Sequence, residues 1–409
     1  MLLKLAWRNL WRQKRRTLLT ASALALALFL SLLTRSFQEG SYNANIDNAA
    51  RFYTGLIQLQ HPEYAESNSI DDVISGDLEQ FPYLKNMNSV SYILPRLESV
   101  ALAAADDRSK GVLVLGVDPE AEDRYSHISS KVSSGNFIDS DSNGVLLGEG
   151  LASYLKLNVG DEIILYGQGY RGHTAAGLYT VNGLLHFPVK ALDNQMVYMP
   201  IKLAQELYST GDQVTSWVLH TDSLDDVATV ETKLKDHYQD QLKVRDWQDL
   251  SPEMAQQIAL DRVGGIFLIY ILYGIVGFGL FATVMMMTLE RQREFGVMLA
   301  TGMVRRQLLG LLFIESAFIC LLGIVIGTLL TMPVLGYFFI NPIEITGDAA
   351  QMMLEAGFEP ILPVHLDPSL FMTQAVAVTF ILLLCLVYPS WRLYRLNLVS
   401  ALKGGSHAH

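Results

Sequence analysis

The sequence predicts an α-helical membrane protein with four transmembrane helices and a mixed α/β domain inserted between the first two. Three observations carry this. Half of the 409 residues are apolar and only 17% are charged, against about 25% in a soluble domain. Four apolar stretches are of membrane-crossing length. Basic residues gather in short segments beside those stretches, while a long acidic segment separates the first from the second. The formal net charge of −11 is a poor match to a nucleic-acid partner. Both cysteines, Cys320 and Cys385, fall inside apolar stretches, so no disulfide framework holds the polar segment and it must fold on its own core.

The predicted spans cover 18–34, 263–289, 308–339 and 370–389. A helix needs roughly 20 residues to cross a hydrocarbon core of ~30 Å. The first run is short, and Arg35 at its end is placed to snorkel to the far interface. The third is long, and Pro333 is expected to kink it or to mark its exit. The resulting domain map is 1–17, an amphipathic helix; 18–40, the first span; 41–260, the α/β domain; 261–289, the second span; 290–307, a short connecting helix; 308–340, the third span; 341–369, a loop; 370–390, the fourth span; and 391–409, a tail.

Orientation follows from the positive-inside rule. Lys4, Arg8, Arg12, Lys14, Arg15 and Arg16 precede the first span. Arg291, Arg293, Arg305 and Arg306 sit between the second and third, and Arg392, Arg395 and Lys403 follow the fourth. The loop 341–369 has no lysine or arginine. Both termini and 290–307 are therefore read as cytoplasmic, in a multi-pass protein of a bacterial inner membrane, with 36–262 and 341–369 outside. Cleavage as a signal peptide is disfavoured, because the first run continues into Thr34-Arg35-Ser36-Phe37 and not into a small-residue site. Before that run, Leu3, Trp7, Leu10 and Trp11 share one helical face and Lys4, Arg8, Arg12 and Arg15 another, the pattern of a helix lying on an anionic leaflet.

Within 41–260, strands are expected at 89–97, 112–117, 145–147, 162–166, 179–185 and 214–220. One or two helical turns are expected at 151–155, and a longer helix at 224–238, where Leu224, Val227, Val230 and Leu234 recur at helical spacing. The glycine-rich stretch 167–177 reads as a loop. Ser251-Pro252 starts a helix that meets no breaker before Gly264-Gly265, so the second span is expected to continue beyond the membrane as a stalk.

Several chemistries have no sequence support. There is no phosphate loop, no His-Glu-x-x-His, no Cys-x-x-Cys and no Gly-x-Ser-x-Gly. His61, His127, His173, His186, His220, His237 and His365 lack ligand-like spacing, and His407 and His409 read as a chain end. No catalytic residue, cofactor or metal site is assigned, and ATP hydrolysis is left to a separate subunit.

The most informative stretch is 289–316. A charged cluster (Glu290, Arg291, Arg293, Glu294) precedes Gly296, an apolar step ends in Ala300 and Gly302, and the basic pair Arg305 and Arg306 follows. The next span carries an early Glu315 and then Gly323 and Gly327. This resembles the core of the FtsX/MacB-type ABC permeases. The segment from Asn9 to Arg16, the pairing of 144–148 with 157–161, and the exit from Pro389 to Leu402 extend the resemblance over nearly the whole chain. The domain 41–260 is most similar to the MacB-like periplasmic core of lipoprotein-releasing LolC/LolE permeases, and 261–402 to an FtsX-like permease domain. The loop 341–369 is longer than the family pattern, and unlike MacB this chain carries no ATPase of its own.

The resemblance implies a coupling helix at 290–307 docked in a groove of two copies of a separate ABC ATPase. Gly296 and Gly302 would keep its backbone slim. Val297, Met298, Leu299 and Met303 would be apolar anchors, and Glu290, Arg291, Arg293, Glu294, Arg305 and Arg306 would supply the charged contacts, the arginines pairing with carboxylates of the ATPase. Topology alone needs the arginines but not the glycines and methionines. Glu315 lies nine residues beyond Arg306, about 13 Å along a helix. A carboxyl group at that depth is expected to face protein and make a structural hydrogen bond. The implied partners are a second permease subunit, identical or homologous, the lipid bilayer, and a periplasmic lipoprotein or adaptor. The implied activity is mechanotransmission that moves a lipoprotein, lipid or exported substrate. The alternatives are an FtsX-like regulator of an extracytoplasmic partner without transport, export of a drug or peptide through an adaptor, and a non-ABC receptor.

Overall fold

A computed structural model describes residues 2–187, 189–355 and 360–395. The chain divides into two compact units. A helical unit comprises Met1–Ser41, Ala259–Ile343 and the chain from Leu362 on; an α/β unit comprises Tyr42–Ile258 and Glu344–Ile361.

Among the described residues, the helical unit is built on four helices long and apolar enough to cross a membrane. They lie in Lys14–Ala49, Pro252–Glu290, Arg305–Ile340 and Pro368–Tyr394. A shorter N-terminal helix, Leu2–Arg12, precedes the first, and Gln292–Ala300 joins the second to the third. The long helices exceed the predicted spans because polar residues continue the hydrogen-bonded ladder. Beyond Thr34, Arg35 pairs with Glu39 at 2.6 Å, one turn on, an arrangement that supports a helix. Arg262 reaches the other oxygen of Glu39 at 2.9 Å. Arg35 is thus held within the unit, where the sequence suggested a snorkelling side chain. Gly264 and Gly265 do not interrupt Pro252–Glu290, and Pro333 lies inside Arg305–Ile340. At the fourth helix, Asp367 caps the Ser369 amide at 2.8 Å and Pro368 takes the first position.

Leu24, Leu28 and Leu32 of the first long helix pack in one core with Ile269 and Leu280 of the second, Leu312 and Ile319 of the third, and Leu382 and Leu386 of the fourth. Gly323 and Gly327 bring the third helix against the first. A Cβ at Gly323 would lie 2.8 Å from the Leu24 Cβ, and one at Gly327 3.0 Å from the Ala25 carbonyl oxygen. Small residues at such a crossing are how apolar helices pack closely in lipid.

Among the described residues, the main sheet of the α/β unit has ten strands: β1 Ile57–Gln60, β2 Tyr92–Ala105, β3 Arg108–Val117, β4 Val132–Gly135, β5 Gly144–Gly148, β6 Glu162–Gln168, β7 Thr174–Leu185, β8 Met196–Pro200, β9 Ser216–His220 and β10 Lys243–Asp246. Their order is β10-β1-β9-β2-β3-β8-β5-β7-β4, and β6 pairs with both β2 and β7. The pairings β2-β3-β8-β5-β7-β6-β2 therefore close a six-stranded ring. Leu97, Ala103, Val114, Leu147, Ile163, Leu165, Val181 and Val197 form its buried core. Alternation on β6 shows the reason: Ile163 and Leu165 are buried while Glu162, Ile164 and Tyr166 are exposed. A second core, under β1, β9 and β10, packs Leu59, Trp217, Leu219 and Val244 against the helix Val227–Tyr238 through Val230 and Leu234.

The stretch 167–177 is not the loop the glycines suggested. It is a hairpin whose strands pair from Glu162↔Thr180 to Gln168↔Thr174, leaving only a short turn. Glycine weakens strand propensity without forbidding pairing. The first predicted strand starts later, at Tyr92, and runs through an alanine-rich stretch to Ala105, because small side chains fit the ring interior. The turn into β3 uses Asp106 at φ +46, a residue type that tolerates the left-handed region. Strands β1, β4, β8 and β10 have no counterpart in the sequence reading. Gln58 and Gln60 are buried by hydrogen bonds and not by hydrophobicity: Gln58 Nε2 donates to the Thr54 carbonyl at 2.5 Å, and Gln60 Nε2 to Gln58 Oε1 at 2.5 Å.

Candidate functional site: a clamped connecting helix

The short helix Gln292–Ala300 begins where the second long helix ends, at Arg291. The Arg291 side chain is buried, and its guanidinium is shared between two carboxylates. Nη1 donates to Glu315 Oε2 at 2.5 Å and Nε to Glu294 Oε2 at 3.1 Å. The guanidinium also lies 5.1 Å from the centre of the Phe295 ring. Glu315 is buried on the third long helix, and its other oxygen accepts from Asn9 Nδ2 at 2.8 Å. Glu294 in turn accepts from Arg12. A fork pair adds to this: Arg16 Nη2 donates to Glu290 Oε1 at 2.6 Å, and Nη1 to Oε2. Charged groups from the N-terminal helix, the first, second and third long helices and the connecting helix thus meet at one end of the bundle. Burying a charge is costly unless it is paired, and breaking such a pair typically costs about 3–5 kcal/mol. The network therefore fixes where the connecting helix sits.

The other residues singled out from the sequence divide by exposure. Arg293, Val297, Ala300, Gly302, Arg305 and Arg306 are exposed. Arg305 Nη1 donates to the Tyr394 carbonyl at 2.7 Å, tying the hairpin to the end of the fourth helix. Two expectations need correction. Met298, Leu299 and Met303 are not wholly outward-facing: each is half-buried and packs on the bundle's own core. The apolar side chains left outward are Val297 and Val304. Gly302 does not serve slimness: a Cβ there would meet nothing within 4 Å, but its φ is +98°. It is needed for the turn, a backbone region that L side chains rarely adopt. Gly296 is buried.

Sequence reasoning did not link Asn9, Arg12 and Arg16 to this network: Arg12 read as a lipid-facing cation, Arg16 as a topology signal, and Asn9 only as the start of the N-terminal resemblance. The facing acids Glu290 and Glu294 were the available signal. It also passed over a second polar node, where the Tyr273 hydroxyl donates to Gln374 Oε1 at 2.5 Å and lies 2.9 Å from Ser31 Oγ. A glutamine in an apolar run marks such a node.

The N-terminal helix buries only part of its apolar face within the unit. Ala6 and Leu10 are covered, whereas Leu3, Trp7 and Trp11 remain exposed; the helix ends at Arg12, so Arg15 belongs to the next one. His407 and His409 lie outside the described residues.

The α/β unit holds its own buried polar group. Arg96 donates to both oxygens of Glu122, Nε at 3.3 Å, and to the Tyr53 carbonyl. The Tyr53 hydroxyl donates to Glu98 Oε1 at 2.7 Å. His220 is fully buried and stacks on Tyr125 at 3.6 Å, with neither ring nitrogen hydrogen-bonded. Burial, reinforced by Arg96 and Arg51, holds its pKa well below the ordinary imidazole value.

Comparison with known proteins places this architecture. The family model for the MacB-like periplasmic core domain matches residues 17–237, and that for the FtsX-like permease C-terminal region matches 266–398. The chain belongs to the MacB-like periplasmic core domain family and is an ABC transporter permease of the FtsX, MacB and LolC kind. Among curated proteins it is similar to the lipoprotein-releasing system transmembrane protein LolE of Haemophilus influenzae, at 25% identity over 78% of this chain and 77% of that one. It is also similar to LolC of Xylella fastidiosa, at 22% over 76% of each. Among solved structures, the periplasmic region of MacB from Actinobacillus actinomycetemcomitans aligns with 52% of this chain and 97% of its own, at 13% identity and a TM-score of 0.34.

Proposed function

We propose that the chain is an inner-membrane permease subunit that receives force from a separate ABC ATPase at the connecting helix and works on a lipoprotein or lipid through its α/β unit. In this reading the termini and the hairpin 290–307 are cytoplasmic and the α/β unit is extracytoplasmic. The observation that carries it is the build of the hairpin. Its base is locked by Arg291, Glu294 and Glu315, while Arg293, Val297, Val304 and Arg306 are left exposed along the hairpin.

A rigid base with an exposed apolar and cationic face suits a docking element that transmits displacement. Arginine pairs with carboxylates in a fixed geometry, and Val297 and Val304 supply apolar area. The helices Lys14–Ala49 and Pro252–Glu290 each run without interruption through the boundary between units in the sequence, which favours mechanical coupling over independent modules. ATP-driven closure then biases a two-state element, and the α/β unit reads it out. Two such permease subunits, identical or homologous, act with two ATPase copies. Lipoprotein release is the favoured activity, from the similarity to LolE and LolC.

The test is purification of the full chain from its native membrane with identification of bound proteins and lipids. A co-purifying ATPase whose hydrolysis the chain stimulates, and whose stimulation is lost in Arg293→Glu/Arg306→Glu, supports the reading. An intact, folded chain that brings down no nucleotide hydrolase contradicts it.

A further inference from the structure

We propose that the N-terminal helix and the third long helix form a binding slot for one anionic phospholipid. An acyl chain would lie along the cleft wall formed by Trp11, Leu18, Phe318 and Leu322, with the phosphate beside Lys14. The inference goes beyond the coupling reading and does not depend on an ATPase.

A cleft of about 80 Å³ opens there, lined by Trp7, Leu10, Trp11, Leu18, Phe318 and Leu322, with the buried Thr17 and, among the described residues, with Lys14 as the one charged residue of the lining. Trp7 stands edge-on to Phe318, with ring centroids 5.7 Å apart, and to Trp11 at 5.8 Å. This fixes the aromatic walls. Thr17 spends its hydroxyl on the Leu10 carbonyl at 3.1 Å, so it offers little to a polar ligand. Trp7 and Trp11 are more than half exposed in spite of their size. Tryptophans with an apolar body and a polar N–H are the side chains suited to headgroup depth.

Charge selects the occupant. The segment from Lys4 to Arg16 carries six cations and no acid. Arg12 and Arg16 are committed to Glu294 and Glu290. Lys4, Arg8, Lys14 and Arg15 are exposed, and among the described residues none of them makes an ion pair. An apolar slot with a lysine on its wall, beside three further unpaired cations, complements a lipid with an acyl chain and a net negative headgroup. A zwitterionic lipid leaves those charges uncompensated. Each basic residue near an anionic surface strengthens attraction by about fivefold.

The experiment uses the full chain in nanodiscs without any ATPase. The lipid is zwitterionic phosphatidylcholine, doped with phosphatidylglycerol or phosphatidylcholine brominated along the acyl chain. Brominated phosphatidylglycerol is expected to quench tryptophan emission at several-fold lower mole fraction than brominated phosphatidylcholine. Lys14→Gln/Arg15→Gln, two exposed changes that leave the apolar walls intact, should abolish most of that several-fold preference. Trp7→Phe/Trp11→Phe should remove the preferential quenching. Equal quenching by the two headgroups, or a preference unchanged in Lys14→Gln/Arg15→Gln, overturns the proposal. Native mass spectrometry of the same variants gives a second readout: retained phosphatidylglycerol adducts in wild type and their loss in the charge variant. Adducts equal in both count against it.

Discussion

Arg291 donates to Glu315 at 2.5 Å, from the end of one long helix to the body of another, with both side chains 5% exposed or less. Neither residue is satisfied by this contact alone. Arg291 also holds Glu294, and Glu315 also takes the Asn9 amide. The pair is therefore the centre of a network that assembles the hairpin.

Removing one partner should be worse than removing both. Glu315→Ala leaves a buried guanidinium short of an anion, and a loss of about 3–5 kcal/mol is expected. Arg291→Met/Glu315→Leu replaces the pair by apolar volume and should recover most of that loss. Thermal unfolding of the full chain in nanodiscs measures both. A double variant no more stable than Glu315→Ala would show that the pair is not the unit of stability.

Glycines of the third helix should differ sharply in tolerance. A side chain at Gly327 would run into the Ala25 backbone and Leu28, whereas Gly336 has open space around it. Gly327→Leu should destabilise the bundle by roughly 1–3 kcal/mol through overpacking, and Gly336→Leu should be nearly neutral. The same unfolding assay compares them.

The turn after the connecting helix predicts a conformational hierarchy. With φ at +98°, Gly302→Val forces a β-branched residue into a region costing about 1–3 kcal/mol. Gly302→Asn should cost less, since asparagine visits positive φ more readily. If the hairpin carries the drive, stimulated ATP hydrolysis should fall in the order Gly302, Gly302→Asn, Gly302→Val, with the bulky variant abolishing it. Undiminished stimulation in Gly302→Val would count against docking there.

Acid should weaken the α/β unit through His220. Burial beside Arg96 and Arg51 keeps this ring neutral in the folded state, whereas the unfolded chain takes up its proton near pH 6.5. Between those values the unfolded state binds more protons. This contribution is therefore fully present above about pH 6.5 and is lost as pH falls, at up to about 1.4 kcal/mol per pH unit. Burial raises the Glu98 carboxyl, and that group contributes a slope of opposite sign from its ordinary value upward. The quantity to read is accordingly the difference between wild type and His220→Phe in denaturant midpoint from pH 7.5 to 5.5. Parallel profiles would refute the assignment.

Much of this architecture was legible because membrane spans announce themselves by length and composition. Leu24, Leu312 and Leu382 sit in runs that can only be buried by helices or lipid. What was illegible depended on contacts distant in sequence. Asn9 and Glu315 are 306 residues apart, and no local pattern links them. Met298 and Leu299 read as surface anchors because an apolar residue on a short amphipathic helix looks the same whether it faces a partner or its own bundle. Strands such as β8, buried along its whole length, lack the alternation that identifies a half-exposed strand. The hairpin at β6 and β7 was obscured by glycines whose neighbours nonetheless pair in register.

The central claim is that the hairpin around Val297 touches the ATPase, and site-directed cross-linking tests it most directly. Cys320 and Cys385 are both buried, and replacing them by serine gives a background in which a single new thiol reports. In native membranes, Val297→Cys should cross-link to a nucleotide-hydrolysing subunit, in a yield that changes on adding ATP. Lys202→Cys, exposed on the α/β unit, should not. A cross-link to the ATPase from position 202, with none from 297, would contradict the account.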